Sequence, residues 1–175
     1  IEIFDFDKDG RYEIVVEAKS FGVFIKPSYG GSIFEIDLKE YNKNLLNVLT
    51  RRKEAYHNRL VEFEKNNSRL ELDKVKTIHD LVLVKEPGLS KKLYYDWYLR
   101  YSFLDHFLHS NTKFEDFYKC QFGEQGNFTI ESYEVKKIDK ENSTIMLSRR
   151  GSVWVDDKEY SLQVNKKYTI DDTTK

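Results

Sequence analysis

The feature that most limits how this chain can fold is a two-residue alternation of side-chain character, broken at short intervals by turn residues. Tyr12, Ile14 and Val16 alternate with Glu13, Val15 and Glu17. A second run covers 21–26. Residues 27–31 then supply a proline, a serine and paired glycines, and Phe34, Ile36 and Leu38 alternate with Glu35 and Asp37. Successive side chains of a strand point to opposite faces, so the pattern predicts strands punctuated by turns. The Gly30-Gly31 pair lacks the helix and spacing of a phosphate loop and is expected to be a strand turn.

The same signal returns after residue 117. Thr129, Glu131, Tyr133 and Val135 alternate with Ile130, Ser132 and Glu134, and residues 145–149 follow a turn at 139–143. Residues 153–155 and 159–164 flank Asp156, Asp157 and Lys158 as a hairpin, and 168–170 reads as a last strand. About eight to ten short strands with one or two short helices make a mainly β chain, and the expected architecture is an antiparallel β-sandwich. The helical part is expected within 44–65, where Leu45, Leu49, Arg52, Tyr56, Leu60 and Phe63 recur at three- and four-residue steps. Its polar side carries Arg51, Lys53, Glu54, His57 and Arg59. A strand ending at Leu49-Thr50 with a later helix start fits equally well. Residues 66–76 read as a polar loop, and Leu81–Val84, after His79-Asp80, as a short strand.

Bulk properties exclude several partners. At 175 residues the chain is long enough for one domain, expected to span 1–175. Its 29 basic against 30 acidic residues give a net charge of -1, without the basic excess that nucleic-acid binding requires. Mean hydropathy is -0.67, and no apolar run approaches the roughly 20 residues of a membrane span. The lone Cys120 excludes an internal disulfide and points to a reducing cytoplasm. The chain starts at Ile1 inside a strand-like pattern and carries no signal-peptide pattern, so it is expected to be a piece of a longer protein.

Two stretches carry candidate chemistry. Asp5, Asp7, Asp9, Arg11 and Glu13 surround Gly10 in a D-x-D-x-D-G-x-x-E pattern. Alternate carboxylates, a glycine for the sharp turn and the Arg11 carbonyl would suit a calcium ion. Val16 stands where an EF-hand has its last ligand, so the alternative is an acidic, solvated turn before a strand. Residues 94–108, YYDWYLRYSFLDHFL, interleave large aromatics with ionisable groups more densely than any other stretch. Helical spacing and strand alternation both fit parts of it. Asp105-His106 has the composition of an acid/base pair or of a packed, satisfied pair. His57, His79 and His106 are dispersed, and no complete catalytic signature is present.

The segments DFDKDGRYEIV, KPSYGGSIFEIDLK, NLLNVLTRRKEAYH, IHD and YDWYLRYSFLDHF closely resemble the C-terminal region of glycoside hydrolase family 57 enzymes, the prokaryotic α-amylases and 4-α-glucanotransferases. The specific motifs run from about Asp5 to Leu108; beyond 117 the likeness rests on strand pattern and aromatic content. The resemblance implies a galactose-mutarotase-like sandwich, packed against an N-terminal barrel that holds both catalytic carboxylates. It also implies, for the parent enzyme, α-1,4-glucan cleavage or transfer with retention. No catalytic residue is therefore expected in this chain. The implied partners are that barrel and an α-glucan or maltooligosaccharide.

Aromatic rings stack on pyranose faces, and Asp, Arg and His hydrogen-bond their hydroxyls. Trp97, Tyr95, Tyr98, Asp96, Arg100, Asp105 and His106, with Arg51, Arg52, Glu54, Tyr56 and His57, are accordingly candidates for a wall beside the cleft. Core and interface packing is the competing role for the same residues. Two further expectations stand beside the accessory domain: mutarotase-like chemistry on a His–carboxylate pair, and a calcium-stabilised structural module.

Overall fold

A computed structural model of the chain describes residues 1–46, 49–67 and 88–171. The chain divides into two compact units: Ile1–Leu49 with Tyr98–Lys175, and Thr50–Trp97.

The first unit contains eight strands among the described residues, in two antiparallel sheets. Strands β1 (Glu2–Phe4), β2 (Glu13–Glu17), β3 (Phe21–Lys26), β4 (Ser32–Leu38) and β5 (Lys43–Asn44) lie in sequential order in one sheet. Strands β6 (Glu134–Asp139), β7 (Thr144–Val155) and β8 (Lys158–Thr169) form the other. Ile14, Val16, Val23, Ile25 and Ile33 from the first sheet pack with Ile145, Leu147 and Tyr168 from the second, joined by Phe128 and Tyr133. This is the interior of an antiparallel β-sandwich, made from alternate residues of each strand. Each such apolar side chain stabilises the fold by roughly 1.5–3 kcal/mol through burial.

The β7–β8 hairpin forms as its sequence predicts. Val155 pairs with Lys158, leaving a two-residue loop in which Asp156 (φ 48°) and Asp157 (φ 61°) are both left-handed. That geometry matches the right-handed twist of the flanking strands. The expected short strand at 168–170 is the end of β8 itself, which pairs with β7 without interruption.

Two expectations change. The alternation at 129–133 is not a strand, and β6 begins only at Glu134. The backbone there bonds to the turn at 27–31: Gly30 N donates to Glu131 O at 2.8 Å and Tyr133 N to Pro27 O at 2.8 Å. Residues 94–108 are neither helix nor continuous strand. The unit boundary falls inside them, and their regular pairing is confined to isolated bridges, Ser102 with Ile33 and Leu108 with Glu124. Helix α1 covers Ala55–Asn67, the later of the two starts the sequence allows. Leu45 and Leu49 are exposed and belong to no buried helical stripe.

The outer face of the five-stranded sheet is also covered. Phe6 packs on Phe24 at 4.8 Å, Phe24 on Phe34 at 5.9 Å, and Tyr101 on Phe34 at 5.8 Å and on Tyr29 at 5.5 Å. The Tyr29 hydroxyl accepts from Leu99 N at 2.7 Å, which fixes the chain as it crosses this face. A short helix α2, Phe114–Lys119, follows, its start closed by the Asp116 carboxylate on Lys113 N at 3.0 Å. The second unit pairs α1 with a 3-10 turn, Leu89–Lys92, through Glu64, which accepts from Ser90 N at 3.2 Å and from the Ser90 hydroxyl. Of the expected loop at 66–76, Asn66 and Asn67 instead end α1, and the remainder, like the strand expected at 81–84, lies outside the described residues. No described helix is long and apolar enough to cross a membrane.

Candidate functional site

The candidate wall residues fall into two groups. Arg51, Arg52, Glu54, Tyr56, His57, Tyr95, Asp96 and Trp97 belong to the Thr50–Trp97 unit; Tyr98, Arg100, Asp105 and His106 belong to the sandwich. His79 and Asp80 lie outside the described residues.

In the first group, Arg51 and Asp96 clasp each other. Arg51 N donates to Asp96 Oδ2 at 2.8 Å, Arg51 Nη2 to Oδ1 at 2.6 Å, and Asp96 N to Arg51 O at 2.9 Å. The Asp96 side chain is fully buried, and the guanidinium also lies over the Tyr94 ring. A fork satisfied on both prongs is a rigid brace. His57 is buried; its Nδ1 accepts the Glu54 amide at 3.1 Å and stands 3.1 Å from the Tyr95 hydroxyl. With Nδ1 accepting, a neutral His57 carries its proton on Nε2. Arg52, Glu54, Tyr56 and Trp97 are exposed.

In the sandwich, His106 Nδ1 is 2.7 Å from Glu124 Oε2, and Glu124 Oε1 accepts Phe107 N at 2.6 Å. The two side chains are 14% and 13% exposed. The imidazole is ringed by Tyr98 at 4.7 Å, Phe117 at 5.6 Å and Phe122 at 5.7 Å. A glutamate that fixes the imidazole's orientation is what acid/base chemistry needs, and aromatic packing on several sides is what a structural pair shows.

Asp105 has a separate position. Its Oδ2 accepts the Tyr133 hydroxyl at 2.5 Å and lies 2.7 Å from Lys166 Nζ, and its carbonyl accepts the Thr129 hydroxyl at 2.9 Å. Lys166 also donates to Gly30 O at 2.7 Å and to Phe103 O, and its ammonium sits over the Tyr133 ring. Burial pushes the Lys166 ammonium below its ordinary value, against the pull of Asp105. Burial, with the hydrogen bond to Asp105, holds the Tyr133 phenol well above the usual range. Above this knot Phe103 is held at φ 64°, an uncommon conformation for a bulky side chain; the residue is 62% exposed, and its ring meets Tyr168 edge-on at 5.9 Å.

The acidic loop closes around a lysine. Asp5, Asp7 and Glu13 place carboxylate oxygens within 4.8 Å of one another. Lys26 Nζ stands 2.5 Å from Asp7, 2.8 Å from Asp9 and 3.1 Å from Glu13. Burial alone would lower the Lys26 value; the hydrogen bonds from the three carboxylates outweigh it and raise it. Asp9 is lowered, chiefly by its bond to Lys26. Asp5 takes the amides of Asp9 at 3.1 Å and Gly10 at 3.1 Å, so part of its capacity is used in holding the turn. Arg11 Nη1 donates to Ser28 O at 3.4 Å. The donor set fits a hard cation in charge and atom type. A calcium ion there would share the carboxylates with the Lys26 ammonium.

Lys26, Glu124, Tyr133 and Lys166 were absent from the sequence reading of the site. Each pairs with a residue 13 to 61 positions away, a distance at which no local pattern signals contact. The one available hint is that Lys26 ends a strand whose other residues are apolar or small.

Comparison with known proteins places this geometry in context. The family described as alpha-amylase/4-alpha-glucanotransferase, C-terminal, matches residues 5–175. The likeness therefore continues through the second sheet, beyond the motifs that end near Leu108. The chain is 39% identical over 145 residues to alpha-amylase 1 of Dictyoglomus thermophilum, covering 82% of this chain and 20% of that protein. It is 36% identical over 157 residues to a 4-alpha-glucanotransferase of Thermococcus litoralis, covering 90% and 23%. The crystal structure of 4-alpha-glucanotransferase from Thermococcus litoralis superposes with a TM-score of 0.76 at 32% identity, covering 98% of this chain and 22% of that one. The chain thus spans about a fifth of the length of these relatives.

Proposed function

The chain belongs to the family of alpha-amylase/4-alpha-glucanotransferase C-terminal domains, and from that premise we propose that it is a noncatalytic accessory domain that braces the catalytic part of an α-1,4-glucan-active enzyme. The observation that carries the bracing role is Phe103. The Phe103 ring meets Tyr168 edge-on at 5.9 Å yet the residue stays 62% exposed, and its left-handed backbone carries strain. Lys166 fixes the Phe103 carbonyl from inside the sandwich, so the ring is presented by a rigid base. A preformed aromatic on a rigid support is the side chain expected at the centre of a domain interface. The Arg51–Asp96 clasp does the same for the backbone beside Trp97 in the other unit.

The test is Phe103→Asp in the parent polypeptide. The expected result is a lowered melting temperature for the catalytic part, while the accessory domain keeps its own transition. A catalytic part that melts unchanged would remove Phe103 as the brace.

A second reading has one observation in its favour. His106 and Glu124 form the close His–carboxylate pair that mutarotase-like ring opening would use. Anomerisation of glucose followed by polarimetry tests it: a rate above buffer that vanishes in His106→Ala supports the reading, and a rate equal to buffer removes it.

A further inference from the structure

An open cleft of about 500 Å³ lies where the end of β7 meets residues 106–110, and of the candidate wall residues His106 alone is among those lining it. Its backbone is fixed by hydrogen bonds. Gly126 bridges Val153, Trp154 N donates to Gln125 O at 2.8 Å, and Leu108 bridges Glu124. Trp154, Gln125, Asp156 and His109 are among the residues lining the opening. We propose that this cleft is a binding subsite for a neutral α-1,4-glucan, with the Trp154 indole as its stacking platform. The ligand class rests on the glucan-active reading above; the existence of the site rests on the geometry alone.

Four properties of the cleft select that ligand. Trp154 is 49% exposed, and the hairpin behind it is a continuous ladder with a two-residue loop, so the indole stands on a rigid support. An aromatic face held this way suits the apolar face of a pyranose ring. The polar groups around it are mixed in sense. His109 Nδ1 accepts Asn111 N at 3.2 Å, which leaves an Nε2–H donor in the neutral ring; Asp156 offers acceptors; the Gln125 amide offers both. A sugar hydroxyl is donor and acceptor at once and needs such a set. No lysine or arginine lines the cleft among the described residues, and Asp156 adds negative charge, so an anion is disfavoured. The volume lies within the range of small-ligand sites.

The experiment uses the 175-residue chain carrying Trp97→Phe. The sequence has two tryptophans, so Trp154 becomes the only indole reporter. Maltoheptaose is titrated, with cellopentaose, inorganic phosphate and tetramethylammonium as separate arms. The expected result is a saturable shift of Trp154 emission with maltoheptaose, half-complete on the order of 1 mM, and no saturable shift in the other arms. Asp156→Asn keeps a residue that tolerates the left-handed turn and should weaken the response about tenfold, as should Gln125→Ala, whose backbone carbonyl still holds Trp154 N. An unchanged Trp154 spectrum in folded protein overturns the proposal. So does an equal response to cellopentaose, phosphate or the quaternary cation. The parent-enzyme melting test of Phe103 is independent. A silent cleft beside a destabilising Phe103→Asp sinks the subsite alone, and the converse pattern sinks the brace alone.

Discussion

Lys166 Nζ stands 2.7 Å from Asp105 Oδ2, and this pair ties the second sheet to both the 27–31 turn and the aromatic segment. One ammonium satisfies a carboxylate and two backbone carbonyls, with an aromatic ring beneath it. Removing it takes the ammonium from two backbone carbonyls and leaves Asp105 Oδ2 with the Tyr133 hydroxyl. Lys166→Met is therefore expected to cost about 3 kcal/mol, read as a lower urea midpoint at unchanged slope. Lys136→Met, which breaks an exposed pair with Glu134, should stay within about 0.5 kcal/mol. Equal effects would mean that the Lys166 knot does not hold the sheets.

Gly10 in the acidic loop and Gly30 in the β3–β4 turn, both left-handed, should respond differently to alanine. A Cβ at Gly30 (φ 63°) would lie 2.3 Å from Thr129 O and 2.5 Å from Leu104 Cδ2. Gly10 (φ 86°) has open space around it. Gly10→Ala carries only the conformational cost, about 1 kcal/mol, whereas Gly30→Ala adds a backbone clash and should exceed about 3 kcal/mol. Thermal melts of the two variants compare them directly.

Alkaline pH provides a separate check. Tyr133 and Tyr168 are raised, first by burial and then by Asp105, and Lys26 is raised by its carboxylates despite burial. Each folded value lies above the unfolded one. The associated stability is therefore complete below the unfolded values, near pH 10, and is lost as pH rises through the folded values. Lys166 is lowered and contributes the opposite slope below that point. Urea midpoints from pH 8 upward should hold or rise slightly and then fall beyond about pH 10. Tyr133→Phe should start lower and fall less steeply; a parallel fall would exclude Tyr133 as a source.

Calcium enters as a competition with Lys26. Lys26→Gln removes the ammonium from Asp7, Asp9 and Glu13 while keeping a side chain that can hydrogen-bond. We expect millimolar calcium to raise the melting temperature of that variant more than that of the wild type, by several degrees. If calcium moves neither protein, the loop is a lysine-centred turn and the calcium module is ruled out.

Much of the sandwich was legible because β2, β3, β4, β7 and β8 alternate in character and are separated by turn chemistry with a mechanism. Asp156-Asp157 and Gly30-Gly31 are the clearest cases. Residues 94–108 were not legible because their side chains serve different surfaces: Tyr101 covers a sheet, His106 enters an aromatic ring cage, Phe103 faces solvent. No single period can describe such a segment. Residues 129–133 misled in the opposite direction, since their alternation is real but their backbone bonds serve a turn. Arg149 adds to this, donating to Asn127 O and Ser132 O. Among the candidate residues, Arg51 meets Asp96 and His57 meets Tyr95, whereas Glu124 and Lys166 reach His106 and Asp105 only through the fold.

As a noncatalytic accessory domain, this chain should leave an α-glucan unchanged. The most direct measurement is turnover of maltoheptaose by the 175-residue chain alone, beside its parent polypeptide under the same conditions. The expected result is no turnover above buffer for the chain and full activity for the parent. Cleavage or transfer by the isolated chain, retained after purification and lost on unfolding, would contradict it.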